Sequence, residues 1–117
     1  MLFLEYPPCS TCQKARKWLD SHGIVYNARH IKQDNPTYEE LNAWYSASQL
    51  PLKKFFNTSG LVYKSLNLKE RLPAMSEEEQ LQLLSTDGML VKRPLVILDN
   101  GTVLTGFREK EWADALL

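Results

Sequence analysis

The chain has two cysteines, Cys9 and Cys12, separated by Ser10 and Thr11. They fall where an apolar run, Leu2 to Tyr6, is closed by Pro7-Pro8 and a helical pattern begins. Two thiols at this spacing and at such a junction form a thiol–disulfide site. The first has the nucleophile's position. Unpaired N–H groups at a helix N-terminus stabilise an anion, so Cys9 should ionise below the free value of about 8.5. Its thiolate could attack a disulfide or an oxyanion. Cys12, one turn in, is placed to attack the sulfur of Cys9 once that is oxidised or joined to a partner. Ser10 and Thr11 form the loop that faces the substrate.

Plainer roles compete with these. Two thiols alone cannot complete a four-ligand zinc site, and His22 and His30 have no ligand spacing, so no metal site is expected. Cys12 could instead be a small core residue on the inner face of the helix. A second constellation is Lys92-Arg93-Pro94 ahead of an apolar run. Proline restricts the residue before it to an extended conformation. Arg93 would bring positive charge towards Cys9, and its fork suits a tetrahedral oxyanion; a surface arginine beside a strand start is the alternative. Lys14, Arg16 and Lys17 read as a solvated basic face. In Lys53-Lys54-Phe55-Phe56 the phenylalanines should be core and the lysines exposed. Trp18, Trp44 and Trp112 fall on buried helical stripes.

These groups need a frame to hold them. Leu2 to Tyr6 reads as a strand. Cys12, Ala15, Trp18 and Leu19 give the inner stripe of a helix that Gly23 stops. A second strand starts at Ile24 and runs to His30-Ile31. Thr37 with Glu40 and Ser76 with Glu79 are capping boxes that open two more helices. The first carries Leu41, Trp44, Tyr45 and Ser48 inward, and the second carries Leu81, Leu83 and Leu84 towards Asp87-Gly88. Between them, Lys53 to Gly60 reads as one short helical turn followed by a loop. Leu95 to Leu98 and Thr102 to Thr105 flank Asp99-Asn100-Gly101, a hairpin pattern. Arg108 to Leu117 is a closing helix with Trp112 and Leu116 inward. The order βαβ, helical insertion, ββα is a thioredoxin-like α/β arrangement, read as one domain over residues 1–117.

Composition excludes several classes. With 117 residues, 44% hydrophobic and 24% charged, the chain is of ordinary globular type. Basic and acidic side chains number 14 each, so no global attraction to nucleic acid is expected. The apolar runs are far shorter than the roughly 20 residues of a membrane helix. No secretory pattern is seen at the N-terminus, so a cytoplasmic monomer is the expectation.

With these motifs in place, the sequence resembles the ArsC/Spx family of thioredoxin-fold proteins. Tyr6-x2-Cys9-x2-Cys12-x-Lys14-Ala15, Phe56 to Gly60 with Tyr63-Lys64, Asp87 to Pro94, and Gly106-Phe107-x-Glu109-x2-Trp112 carry the resemblance. It extends over essentially the whole chain and is nearest to the Spx/MgsR-like branch. Among arsenate reductases it implies a nucleophile at Cys9 and one oxyanion-binding arginine at Arg93. The family's other two arginines are replaced, one within Asn57 to Gly60 and one at Gly106. Glutathione or a glutaredoxin-like donor would supply electrons, with no bound cofactor, and Pro94 would shape the substrate loop. Among Spx proteins the resemblance implies a Cys9–Cys12 redox switch. The partner would then be the C-terminal domain of the RNA polymerase α subunit, met near Gly60.

Overall fold

The computed structural model describes all residues, Met1 to Leu117. Strand β1 (Leu2–Glu5) leads into helix α1 (Ser10–Ser21) and strand β2 (Asn27–His30). Three 3-10 turns and four helices follow: α2 (Tyr38–Ser48), α3 (Leu61–Ser65), α4 (Leu68–Arg71) and α5 (Glu77–Thr86). Strands β3 (Leu95–Ile97) and β4 (Val103–Thr105) and helix α6 (Glu109–Leu116) complete the chain. The sheet runs β2-β1-β3-β4. Strands β1 and β2 are parallel, with Leu2 opposite Asn27 and Glu5 opposite His30, as a helical crossover requires. The other two pairings are antiparallel. Gly101, at φ +90°, turns the β3–β4 hairpin and donates its N–H to Leu98.

Side chains of a strand alternate between faces, and β1 thereby divides the core. Phe3 points to α1 and α6, packing with Ala15, Leu19, Val96 and Trp112. Leu4 points the other way, joining Leu95 and Val103 beneath Leu41, Tyr63, Leu68, Leu81 and Leu84 of the helical insertion. Both capping boxes form, each with bonds of 3.0 and 3.1 Å. The three tryptophans pack inward, Trp112 fully and Trp18 and Trp44 in part. Phe55 and Phe56 are buried while Lys53 and Lys54 are exposed.

Several boundaries differ from the sequence reading for local reasons. Strand β1 stops at Glu5 because the N–H of Tyr6 leaves the ladder and points at Cys12 Sγ, 3.5 Å away. Strand β2 starts at Asn27, not Ile24. Gly23 takes φ +66°, and the N–H of Ile24 still bonds back to Leu19, so pairing begins only when Asn27 reaches the carbonyl of Met1. Helices α3 and α4 were not legible. They are short, lack side-chain caps, and are separated by Asn67 in the left-handed region.

The segment after α5 is fixed from below. A Cβ on Gly88 would lie 1.8 Å from the carbonyl oxygen of Ile31, so only glycine allows this approach. Asp87 then caps the 3-10 turn Gly88–Leu90 by accepting from the N–H of Met89. This turn delivers Lys92, Arg93 and Pro94 to the start of β3, an inner strand of the sheet.

Candidate functional site

Cys9 is the N-cap residue of α1, in extended conformation, with its carbonyl receiving the N–H of Gln13. Its own N–H bonds to Tyr6, closing the Pro7-Pro8 loop. Cys9 is half-buried, Cys12 is fully buried, and both are free thiols. Burial alone would raise the Cys9 thiol, but four donors outweigh it: the N–H and thiol of Cys12, the N–H of Thr11 and the guanidinium of Arg93. Cys9 is therefore held below the ordinary cysteine range. Cys12 shows the opposite. Burial pushes its thiol up to about 12, against the N–H of Tyr6, and the nearby Cys9 adds to the rise. The two neighbouring thiols are thus shifted in opposite directions, Cys9 down and Cys12 up.

Arg93 follows the turn and precedes Pro94 through a cis peptide bond. Its guanidinium carbon is 5.2 Å from the centre of the Tyr6 ring. A long bond of 3.5 Å joins Nη1 to the carbonyl of Met89, and the buried Nε has no partner. Arg93 lines the same cleft as Cys9. Pro94 is buried and accepts the N–H of Gly106, whose own carbonyl receives the indole N–H of Trp112 at 3.1 Å. Gly106 sits at φ +73°, and a Cβ there would lie 3.1 Å from Lys92 Cε. The stem of Lys92 therefore lies across Gly106.

Cys9, Thr11, Asn57, Gly60, Lys92, Arg93 and Gly106 line one cleft of about 1400 Å³. Ser10, Cys12 and Pro94 lie outside its lining: Ser10 is exposed on α1, Cys12 is beneath Cys9, and Pro94 acts through its carbonyl. The Asn57–Gly60 loop is held by the N–H of Asn57 on Leu90 and of Gly60 on Asn57, with the Ser59 hydroxyl near Asn57 Oδ1. No three His, Cys, Asp or Glu side chains come together as a metal site.

Sequence reasoning missed two relations. Arg16 is no part of a solvated basic face; it pairs with Glu5, a carboxylate only 5% exposed on β1. A charge in an apolar run was the available clue, since a buried carboxylate needs a partner. The Tyr6–Arg93 stack left no such clue.

A four-stranded sheet of this order, with a dithiol at the start of α1 and Arg93 on the same cleft, defines a thioredoxin-like protein. Within that class the chain belongs to the ArsC family, whose model matches residues 4–115. It is 54% identical over 114 residues to the uncharacterised protein YusI of Bacillus subtilis, covering 97% of this chain and 96% of that one. Identity to the regulatory protein MgsR of the same organism is 32%, over 95% and 86% of the two chains. Among solved structures, an ArsC-family-related protein from Bacteroides fragilis superposes with a TM-score of 0.93 at 60% identity, over 97% and 94% of the chains. A Streptococcus mutans protein described as a possible arsenate reductase gives 0.86 at 42%, over 96% of each.

Proposed function

We propose that this chain is a thiol-redox protein in which Cys9 is the attacking thiolate and Cys12 the resolving thiol. One observation carries the reading: two free thiols one turn apart open α1, Cys9 partly exposed at its N-cap on the cleft that Arg93 also lines and Cys12 fully buried. Thiolate is the nucleophile of exchange, and the best attacking thiol ionises near ambient pH. The Cys9 thiolate attacks one sulfur of a substrate disulfide and expels the other as a thiolate. Cys12 then gives up its proton and attacks the Cys9 sulfur. The substrate leaves as a dithiol, two electrons richer, and a Cys9–Cys12 disulfide remains. Two equivalents of glutathione, used directly or through a glutaredoxin-type donor, would restore the dithiol. Thr11 lies in the first turn of α1 and Ser10 beside it, while Pro94 fixes the loop that carries Arg93.

The reading is tested on reduced protein and on a Cys12→Ser variant. Iodoacetamide should label Cys9 with a midpoint below the ordinary thiol value, and mild oxidant should remove two protons' mass through an intramolecular disulfide. An unshifted midpoint together with mixed disulfides at Cys9 alone would overturn it.

Similarity to MgsR favours a second reading, in which the same pair is a switch and the output is a protein contact. The resemblance to Spx proteins points to the C-terminal domain of the RNA polymerase α subunit. Gly60 would belong to that contact, as the resemblance to Spx proteins implies. Retention of purified α C-terminal domain on the immobilised protein distinguishes this reading from a purely enzymatic one.

A further inference from the structure

We infer that the disulfide reduced at Cys9 belongs to an acidic polypeptide segment, drawn in by the cationic cleft; this rests on the thiol-redox reading above. The chain as a whole has no net charge, yet Lys53, Lys54, Lys92, Arg93 and Arg108 all line this one cleft. Only two carboxylates, Glu111 and Asp114, join them, both on α6. None of the five cations is in a salt bridge, whereas Arg16 and Arg29 are both paired. Their field is therefore offered to whatever enters. Clefts lined by one sign of charge concentrate ligands of the other and speed their association.

The size and surface of the cleft favour a polypeptide over a small anion. Its volume of about 1400 Å³ exceeds the 300–1,000 Å³ or so of small-molecule sites. The cations stand on separate elements, the 3-10 turn Leu52–Phe55 on one side and the start of α6 on the other. Leu61, 85% exposed, adds an apolar contact to the same cleft. A chain with acidic residues flanking its disulfide meets the lysines and Arg108 while its sulfur reaches Cys9. Exchange then follows the two-electron course given above, with glutathione as the reductant.

The test compares three peptides with the same intramolecular disulfide, flanked by glutamates, by serines or by lysines. The small neutral disulfide bis(2-hydroxyethyl) disulfide is a fourth substrate, and reduced glutathione regenerates the protein. At low salt the acidic peptide should be reduced about tenfold or more faster than the basic one, and the ratio should shrink as salt screens beyond about 10 Å. The double variant Lys53→Gln/Lys54→Gln should lower that ratio several-fold. Removing the same charge elsewhere, with Lys17→Gln/Lys32→Gln, should leave it unchanged. Equal rates on all peptides, equal effects of the two double variants, or turnover of bis(2-hydroxyethyl) disulfide alone would each overturn the inference while thiol exchange stands. No reduction of any disulfide would overturn the underlying reading as well.

Discussion

The Arg93 guanidinium lies over the Tyr6 ring, 5.2 Å from its centre, and the backbone N–H of Tyr6 meets Cys12 Sγ. One residue at the end of β1 thus touches the cation that supports Cys9 and the thiol beneath it. Arg93 has little else to hold it, since its Met89 bond is long and its Nε is unpartnered. A ring face attracts a guanidinium by about 0.5–2 kcal/mol. Tyr6→Leu should raise the midpoint of Cys9 alkylation, while Tyr6→Phe, which keeps the ring, should leave it in place. Equal midpoints for wild type and Tyr6→Leu would show that Tyr6 only fills space.

The buried thiol makes a prediction about alkaline stability. The Cys12 thiol goes from an ordinary value of 9.0 when unfolded to about 12 when folded. Above pH 9 the unfolded chain loses this proton while the folded chain keeps it. The contribution is complete below pH 9 and is lost progressively as pH climbs towards 12. Cys9 has the opposite sign, but its contribution is already complete above its unfolded value. Urea melts at pH 7.5 and pH 10.5 should show a loss for wild type that Cys12→Ala reduces. An identical loss in the variant would remove Cys12 as the cause.

An acid-sensitive contact lies away from the cleft. Glu40 closes the cap of α2 and also takes two bonds from Arg29, at 2.6 and 2.9 Å. Arg29, first of its causes, holds the Glu40 carboxyl down to about 2. This stabilisation is present above the unfolded carboxyl value near 4.5 and is lost as pH falls towards 2. Glu40→Gln should cost about 1–2 kcal/mol at pH 7, allowing for partial exposure, and should flatten stability between pH 4.5 and 2. Chemical denaturation across that range checks both.

What could be read in advance follows from what is local. The β1–α1 junction, both capping boxes and the Asn100-Gly101 hairpin depend on neighbours in sequence, and each is present. Cys9 and Arg93 reach one cleft because the thioredoxin-like order brings the loop before β3 to the start of α1. Arg16 defied the pattern because its partner, Glu5, sits on another element, and polar-face periodicity cannot see a buried carboxylate across the gap. Helices α3 and α4 are held by tertiary packing of Tyr63 and Leu68, not by caps, so they left little local trace.

Arsenate tests how much positive charge the site can focus on a reacting oxyanion. A dianion must be held while a thiolate of like sign attacks it, so cations must offset both. The cleft places Arg93 beside Cys9, with Lys92 lying across Gly106. The two other arginine positions implied by the ArsC resemblance hold Asn57, a neutral amide tied into its loop, and Gly106 itself. Each well-placed donor to a developing charge contributes about 3–4 kcal/mol, so two missing guanidiniums should lower turnover by several powers of ten. Nor can one be restored simply. Arginine at Gly106 would need φ +73° and the space held by Lys92, so Gly106→Arg should destabilise the fold before it aids catalysis. Asn57→Arg, leaving Gly106 and Lys92 in place, is the milder route to a second guanidinium. Wild-type protein with glutathione and glutaredoxin should reduce arsenate weakly or not at all, measured by arsenite release, while still exchanging disulfides. Fast wild-type arsenate turnover would show that Arg93 and Lys92 suffice for the dianion.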